Sequence, residues 1–159
     1  MLRRYLKAVH EIGAAGYVGA LAACVVTRFA VPIDSPVAYA AASETVSAIA
    51  RYLIVPSLFM SIVSGLLALA ANDAYLDAGW AWSKALLGLV MFEGTLATIA
   101  AAARQTARLS ALAVAGQGDP AALGQALRAE RHGSWLMLAL ATANIVLAVW
   151  RPRFHRAAA

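Results

Sequence analysis

The side chains here that could do chemistry are few, and most sit inside or beside long apolar runs: His10, Tyr17, Cys24, Lys84 and Glu93. His10 lies about a turn into the first run, LKAVHEIGAAGYVGALAACVVTR, residues 6–28. On a helix, residues seven apart return to nearly the same angle, so Lys7, His10, Tyr17 and Cys24 share one face. Between them Gly13, Gly16 and Gly19, with Ala14, Ala15 and Ala20, strip the helix of bulk, which admits a neighbouring backbone or a flat ligand. A neutral imidazole suits iron. His10 therefore reads as a haem ligand, with Gly13 and Tyr17 beside the macrocycle. The competing reading is an interfacial histidine that donates to a backbone carbonyl one turn away.

Glu93 falls near the middle of the third apolar run, where a charge is costly and usually faces the bundle interior. Its expected partner is Asn144 or a serine, and its role either a neutral acid holding one hydrogen bond or a proton relay. Lys84, nine residues earlier, is on the opposite helical face and close enough to the interface to snorkel. Glu11 points roughly 100° away from His10, so no carboxylate–imidazole pair is implied. His10 and His132 fall at opposite ends of an antiparallel bundle, which disfavours one haem clamped between them. Met60 lies too near mid-depth to be an obvious second ligand. Tyr17 offers a redox-active or hydrogen-bonding phenol, or packs with its hydroxyl satisfied. Cys24, the one cysteine, reads as a small apolar filler and leaves no disulfide or CxxC motif. Methionines and histidines are too scattered for a copper path. There is no phosphate loop, zinc-protease helix, nucleophile elbow or pair of catalytic acids, so nothing points to soluble-enzyme chemistry.

The elements that must position these groups are membrane spans. Of the 159 residues 62% are hydrophobic and 13% charged, against about 45–50% apolar in soluble domains. Four apolar segments, at about 6–28, 48–71, 82–103 and 134–150, predict an all-α, four-helix transmembrane bundle in a single integral membrane domain over residues 1–159. The net charge of +5 comes from basic residues that flank the spans without interleaved aromatics, which fits headgroup anchoring and not nucleic acid. Ser35-Pro36 predicts an N-cap and a first-turn proline, so the second helix starts near 36 and carries a seam of Ser43, Ser47, Ala50, Ile54, Ser57, Ser61, Ser64 and Ala68. Pro56 should interrupt it. Gly116-Gln117-Gly118 and Asp119-Pro120 end one helix and start the next, so the second, third and fourth helices extend beyond the membrane on one side, with a helical hairpin over 104–133. Arg3, Arg4 and Lys7 before the first span favour cytoplasmic termini, against Arg104, Arg108, Arg128 and Arg131 on the far side.

LKAVHEIGAAGYVGAL, ARYLIVPSLFMSIVSGLLAL and the tryptophan-led WAWSKALLGLVM resemble a superfamily of small bacterial four-helix membrane proteins. It includes the CopD-like copper-resistance membrane domains, a family of uncharacterised predicted integral membrane proteins, and the HemJ-type protoporphyrinogen oxidases. The resemblance implies a first-helix histidine, His10, associated with haem b, and it matches Arg51 and Lys84 to basic positions of the second and third helices. The HemJ-type arginine-asparagine-glutamate stretch is replaced by Arg128-Ala129-Glu130-Arg131-His132, so the uncharacterised branch is the closer match. The reading that follows is a multi-pass protein of the bacterial inner membrane. It binds haem b through His10 and supports electron transfer for a membrane redox complex, or assembles as a homo-oligomer. The alternatives are a HemJ-like oxidase and a cofactor-free accessory subunit.

Overall fold

The computed structural model describes residues 1–32, 35–72 and 78–150. Among these the chain forms four helices: α1 over Leu2–Ala30, α2 over Pro36–Ala70, α3 over Gly79–Val114 and α4 over Pro120–Trp150. All four expected spans lie within them. At about 1.5 Å per residue even α1 exceeds a hydrocarbon core of roughly 30 Å, and each helix is long and apolar enough to cross a membrane. Their outer faces carry Leu53, Phe59, Val63, Leu86, Val90 and Ile145 exposed, a surface that lipid solvates and water does not. The chain is an all-α, multi-pass membrane bundle. The expected connections through residues 33–34 and 73–77, and the end at Arg151-Pro152-Arg153, lie outside the described residues.

Local chemistry sets the helix boundaries. Ser35 Oγ accepts from Ala38 N at 3.4 Å, and Pro36 opens α2. At the far end of α3, Gly116 takes φ +71°. Gln117 N then donates to Leu112 O at 2.9 Å and Gly116 N to Ala113 O at 3.1 Å, a closure that turns the chain and needs a residue without a Cβ penalty. Asp119 Oδ1 accepts from Ala121 N at 2.8 Å to start α4. The hairpin of 104–133 is thus the paired ends of α3 and α4.

The small-residue seam of α2 faces inward, with Ser43, Ala50, Ile54, Ser61 and Ser64 buried. Helix α1 packs most extensively on its Val55–Ala70 half. A Cβ on Gly13 would meet Ser57 O and Ser61 N at 2.8 Å, so the two backbones touch there. The interruption at Pro56 takes the form of a π turn over Ala50–Ile54, the expected response when a residue cannot donate to the ladder. A second π turn, Thr95–Ala100, touches it from α3. Tyr17, Leu21, Ile54, Met91, Ile99 and Met137 fill the middle of the bundle.

The expected inward placement of Glu93 is overturned: it is exposed. The inner stripe of α3 runs through Ala81, Met91, Thr95 and Ile99. Glu93 is two residues from both Met91 and Thr95, hence about 200° from the interior. Asn144 instead donates to Met91 Sδ at 3.8 Å. A carboxyl on an apolar outer face at this depth costs stability, of order 2.5–3.5 kcal/mol when charged. Glu93→Leu is expected to preserve the bundle and raise its melting temperature in detergent by several degrees; a lower melting temperature would show that Glu93 has a stabilising neighbour.

Candidate functional site

At the end of the bundle that holds the start of α1, the four helices form a cavity of about 520 Å³ that is open on one side. Ligand pockets are typically ~300–1,000 Å³. His10, Tyr17, Lys84, Met91 and Asn144 line it. The walls are otherwise mostly small or aliphatic, with Ala14, Ala81, Ala85, Gly88, Ala141 and Ala148 leaving the room.

His10 is half-buried, and its ring is held by α2. His10 Nδ1 lies 2.7 Å from Ser61 O and 3.3 Å from Ser61 Oγ. A carbonyl oxygen only accepts, so Nδ1 carries the proton and donates. Nε2 is left with the lone pair, and no described residue bonds to it. The ring also rests on Gly65, where a Cβ would come within 3.2 Å of Nδ1. The histidine does donate to a backbone carbonyl, but across to the neighbouring helix and not one turn along its own. That bond fixes the tautomer and orientation that a metal-ligating imidazole needs.

The remaining groups divide clearly. Tyr17 is 2% exposed, and its hydroxyl pairs with Thr95 Oγ1 at 2.9 Å, so it forms the inner floor of the cavity. Gly13 is consumed in the α1–α2 contact. Lys84 lies in the wall with His10. Arg51 lies outside the cavity, exposed, with its guanidinium 5.3 Å above the Tyr52 ring. Glu11 pairs with Lys7 at 3.6 Å, both exposed and both part of the cavity lining, and His132 is exposed away from the cavity. Among the described residues no three His, Cys, Asp or Glu side chains cluster to hold a metal ion.

The opposite end contains what the sequence reading missed. Arg28 and Glu130 form a two-pronged ion pair, Nε to Oε1 at 2.7 Å and Nη2 to Oε2 at 2.8 Å, with side chains only 17% and 5% exposed. Arg28 Nη1 donates to Ser43 Oγ at 2.9 Å, Ser43 Oγ lies 3.2 Å from Ser110 Oγ, and the Tyr39 ring lies 5.4 Å from the guanidinium carbon. Side chains from all four helices meet here. The signal was present in the sequence: the inward stripe of α1, through Tyr17, Leu21 and Cys24, reaches Arg28 next, and that of α4, through Ala126, Gly133 and Met137, includes Glu130.

With this geometry in hand, comparison with protein families, curated proteins and solved structures finds no match for the chain. Losing one partner of a buried pair strands the other charge, at a cost of about 3–5 kcal/mol, whereas replacing both with apolar groups is often neutral. Arg28→Met is therefore expected to lower unfolding stability in detergent by about that amount, and Arg28→Met with Glu130→Leu to recover most of it. Denaturant titration followed by circular dichroism measures both; additive losses would deny the coupling.

Proposed function

We propose that the chain binds haem b in the His10 cavity and passes electrons for a partner in the bacterial inner membrane, with its termini in the cytoplasm. The observation that carries this reading is the His10–Ser61 hydrogen bond of 2.7 Å, which leaves the other ring nitrogen with its lone pair on a histidine that lines a cavity of about 520 Å³. A metal ion held by side chains alone needs several donors in one place. A haem needs one, since the macrocycle supplies four nitrogens of its own, and the donor set here suits that demand.

His10 would be the iron ligand, and its bond to Ser61 O would hold the tautomer and orientation of the ring. The alanine and glycine walls would lie against the macrocycle. When bound, the haem would supply reversible one-electron chemistry. An apolar surrounding disfavours the more highly charged oxidised form, so these walls favour the reduced state. Tyr17 and Thr95 satisfy one another and close the inner side of the cavity toward the packed middle of the bundle. Lys84 and Lys7 are the cationic groups of the wall and suit the anionic edge of a carboxylate-bearing macrocycle. Arg51, outside the cavity, has no part in this reading.

Protein purified in mild detergent from haem-supplied cells is expected to show a sharp Soret band, with resolved visible bands on dithionite reduction. His10→Ala should lose the Soret band while circular dichroism and elution volume stay unchanged. An unchanged spectrum in that variant would remove His10 from the ligand role, and a featureless wild-type spectrum would leave the cofactor-free accessory subunit as the better reading. For orientation, a reporter fused to the C-terminus that fluoresces only when folded in the cytoplasm should be bright; a dark fusion at normal protein levels would place the termini outside.

A further inference from the structure

The second cavity, beside the Arg28–Glu130 pair, encloses about 590 Å³ and draws its walls from all four helices. Its lining changes character along the bundle axis. On one side are Cys24, Val25 and Trp135, within the apolar spans of α1 and α4; on the other are Arg28, Arg128 and Arg131, at or beyond the ends of those spans. Leu123, Leu127 and Phe29 complete apolar walls beside the arginines.

The charges do not cancel. Glu130 is taken up by Arg28 through two short hydrogen bonds, whereas Arg128 and Arg131 are exposed and make no ion pair among the described residues. Among the described lining residues, three arginines against one glutamate leave two positive charges at the mouth of a cavity that is otherwise largely apolar. A ligand that matches both halves has an anionic head and a hydrocarbon tail. Free phosphate would match only the arginines, and a neutral lipid only the walls.

We propose that this cavity is a binding site for one anionic phospholipid, with an acyl chain against Val25, Leu127 and Trp135 and the phosphate held by Arg128 and Arg131. The lipid surrounds the protein already, and the cavity straddles the depth at which headgroup and chain meet. Guanidinium groups match phosphate oxygens with paired hydrogen bonds. Filling the cavity from the bilayer also covers the outer flank of the Arg28–Glu130 pair, keeping water from it.

The test is native mass spectrometry of the full-length protein released from mixed micelles that contain phosphatidylglycerol and phosphatidylcholine in equal amounts. The wild type should retain one phosphatidylglycerol in preference to phosphatidylcholine by about tenfold, as two interfacial arginines allow. Arg128→Gln with Arg131→Gln, both on exposed positions, should remove that preference without altering the fold. Leu127→Trp keeps every charge but fills the cavity, and it should lose the retained lipid as well. Equal retention of both lipids by the wild type would overturn the proposal. So would an undiminished preference in either variant: in the first the arginines would not be the headgroup ligands, and in the second the lipid would lie on the outer surface. Displacement of the retained lipid by millimolar inorganic phosphate would likewise overturn it, by showing that the site takes the free anion.

Discussion

The bundle hangs on the pairing of Arg28 with Glu130. Four helices can slide and rotate past one another in lipid at little cost, since tails solvate leucine as well as another leucine does. A guanidinium that must meet a carboxylate from α4 and the Ser43 hydroxyl of α2, with Ser110 of α3 one bond further, permits one arrangement. The desolvation of both charges makes the pair a poor source of net stability, but any slip strands a charge. Its value is in register. The small-residue contacts at Gly13, and at Gly133, where a Cβ would come within 3.0 Å of Thr98 of α3, can then close, because the helices arrive already aligned.

With that end locked and the middle packed by Tyr17, Leu21, Met91 and Met137, the bundle carries two compartments of different chemistry. One is walled by alanine and glycine and has a single oriented imidazole. The other is amphipathic and basic. The Tyr17–Thr95 hydrogen bond, between α1 and α3, belongs to the packing that separates them. Whatever occupies one compartment is insulated from the other by side chains already satisfied among themselves.

Much of this was legible in the sequence. Hydropathy gave the four spans, and Ser35-Pro36, Gly116 and Asp119-Pro120 gave the boundaries, because capping is chemistry local to a few residues. The seam of α2 was legible for the same reason: a small residue every third or fourth position has one use in lipid. What failed was choosing which polar group turns inward. The cost of a charge at its depth puts Glu93 inside, a rule about averages; the stripe set by Met91, Thr95 and Ile99 decides the matter and points it outward. Arg28 ends an apolar run, as a flanking charge would, although its helical phase with Tyr17 and Cys24 directs it inward. The identity of its partner depends on α1 and α4 being neighbours, a fact of assembly that neither helix encodes alone. The His10–Ser61 bond is of the same kind.

The two π turns at the centre bear on how such a sequence can change. Within an ordinary helical span, losing one residue swings everything downstream through about 100°, which would carry a buried seam round to the lipid. A π turn holds one residue more than the regular ladder requires. Loss of a single residue within Ala50–Ile54 or Thr95–Ala100 lets the turn tighten to an α-helical one, while the halves on either side keep their facing. These are the two places in the bundle where a span can be shortened by one residue and still present the same residues to its neighbours.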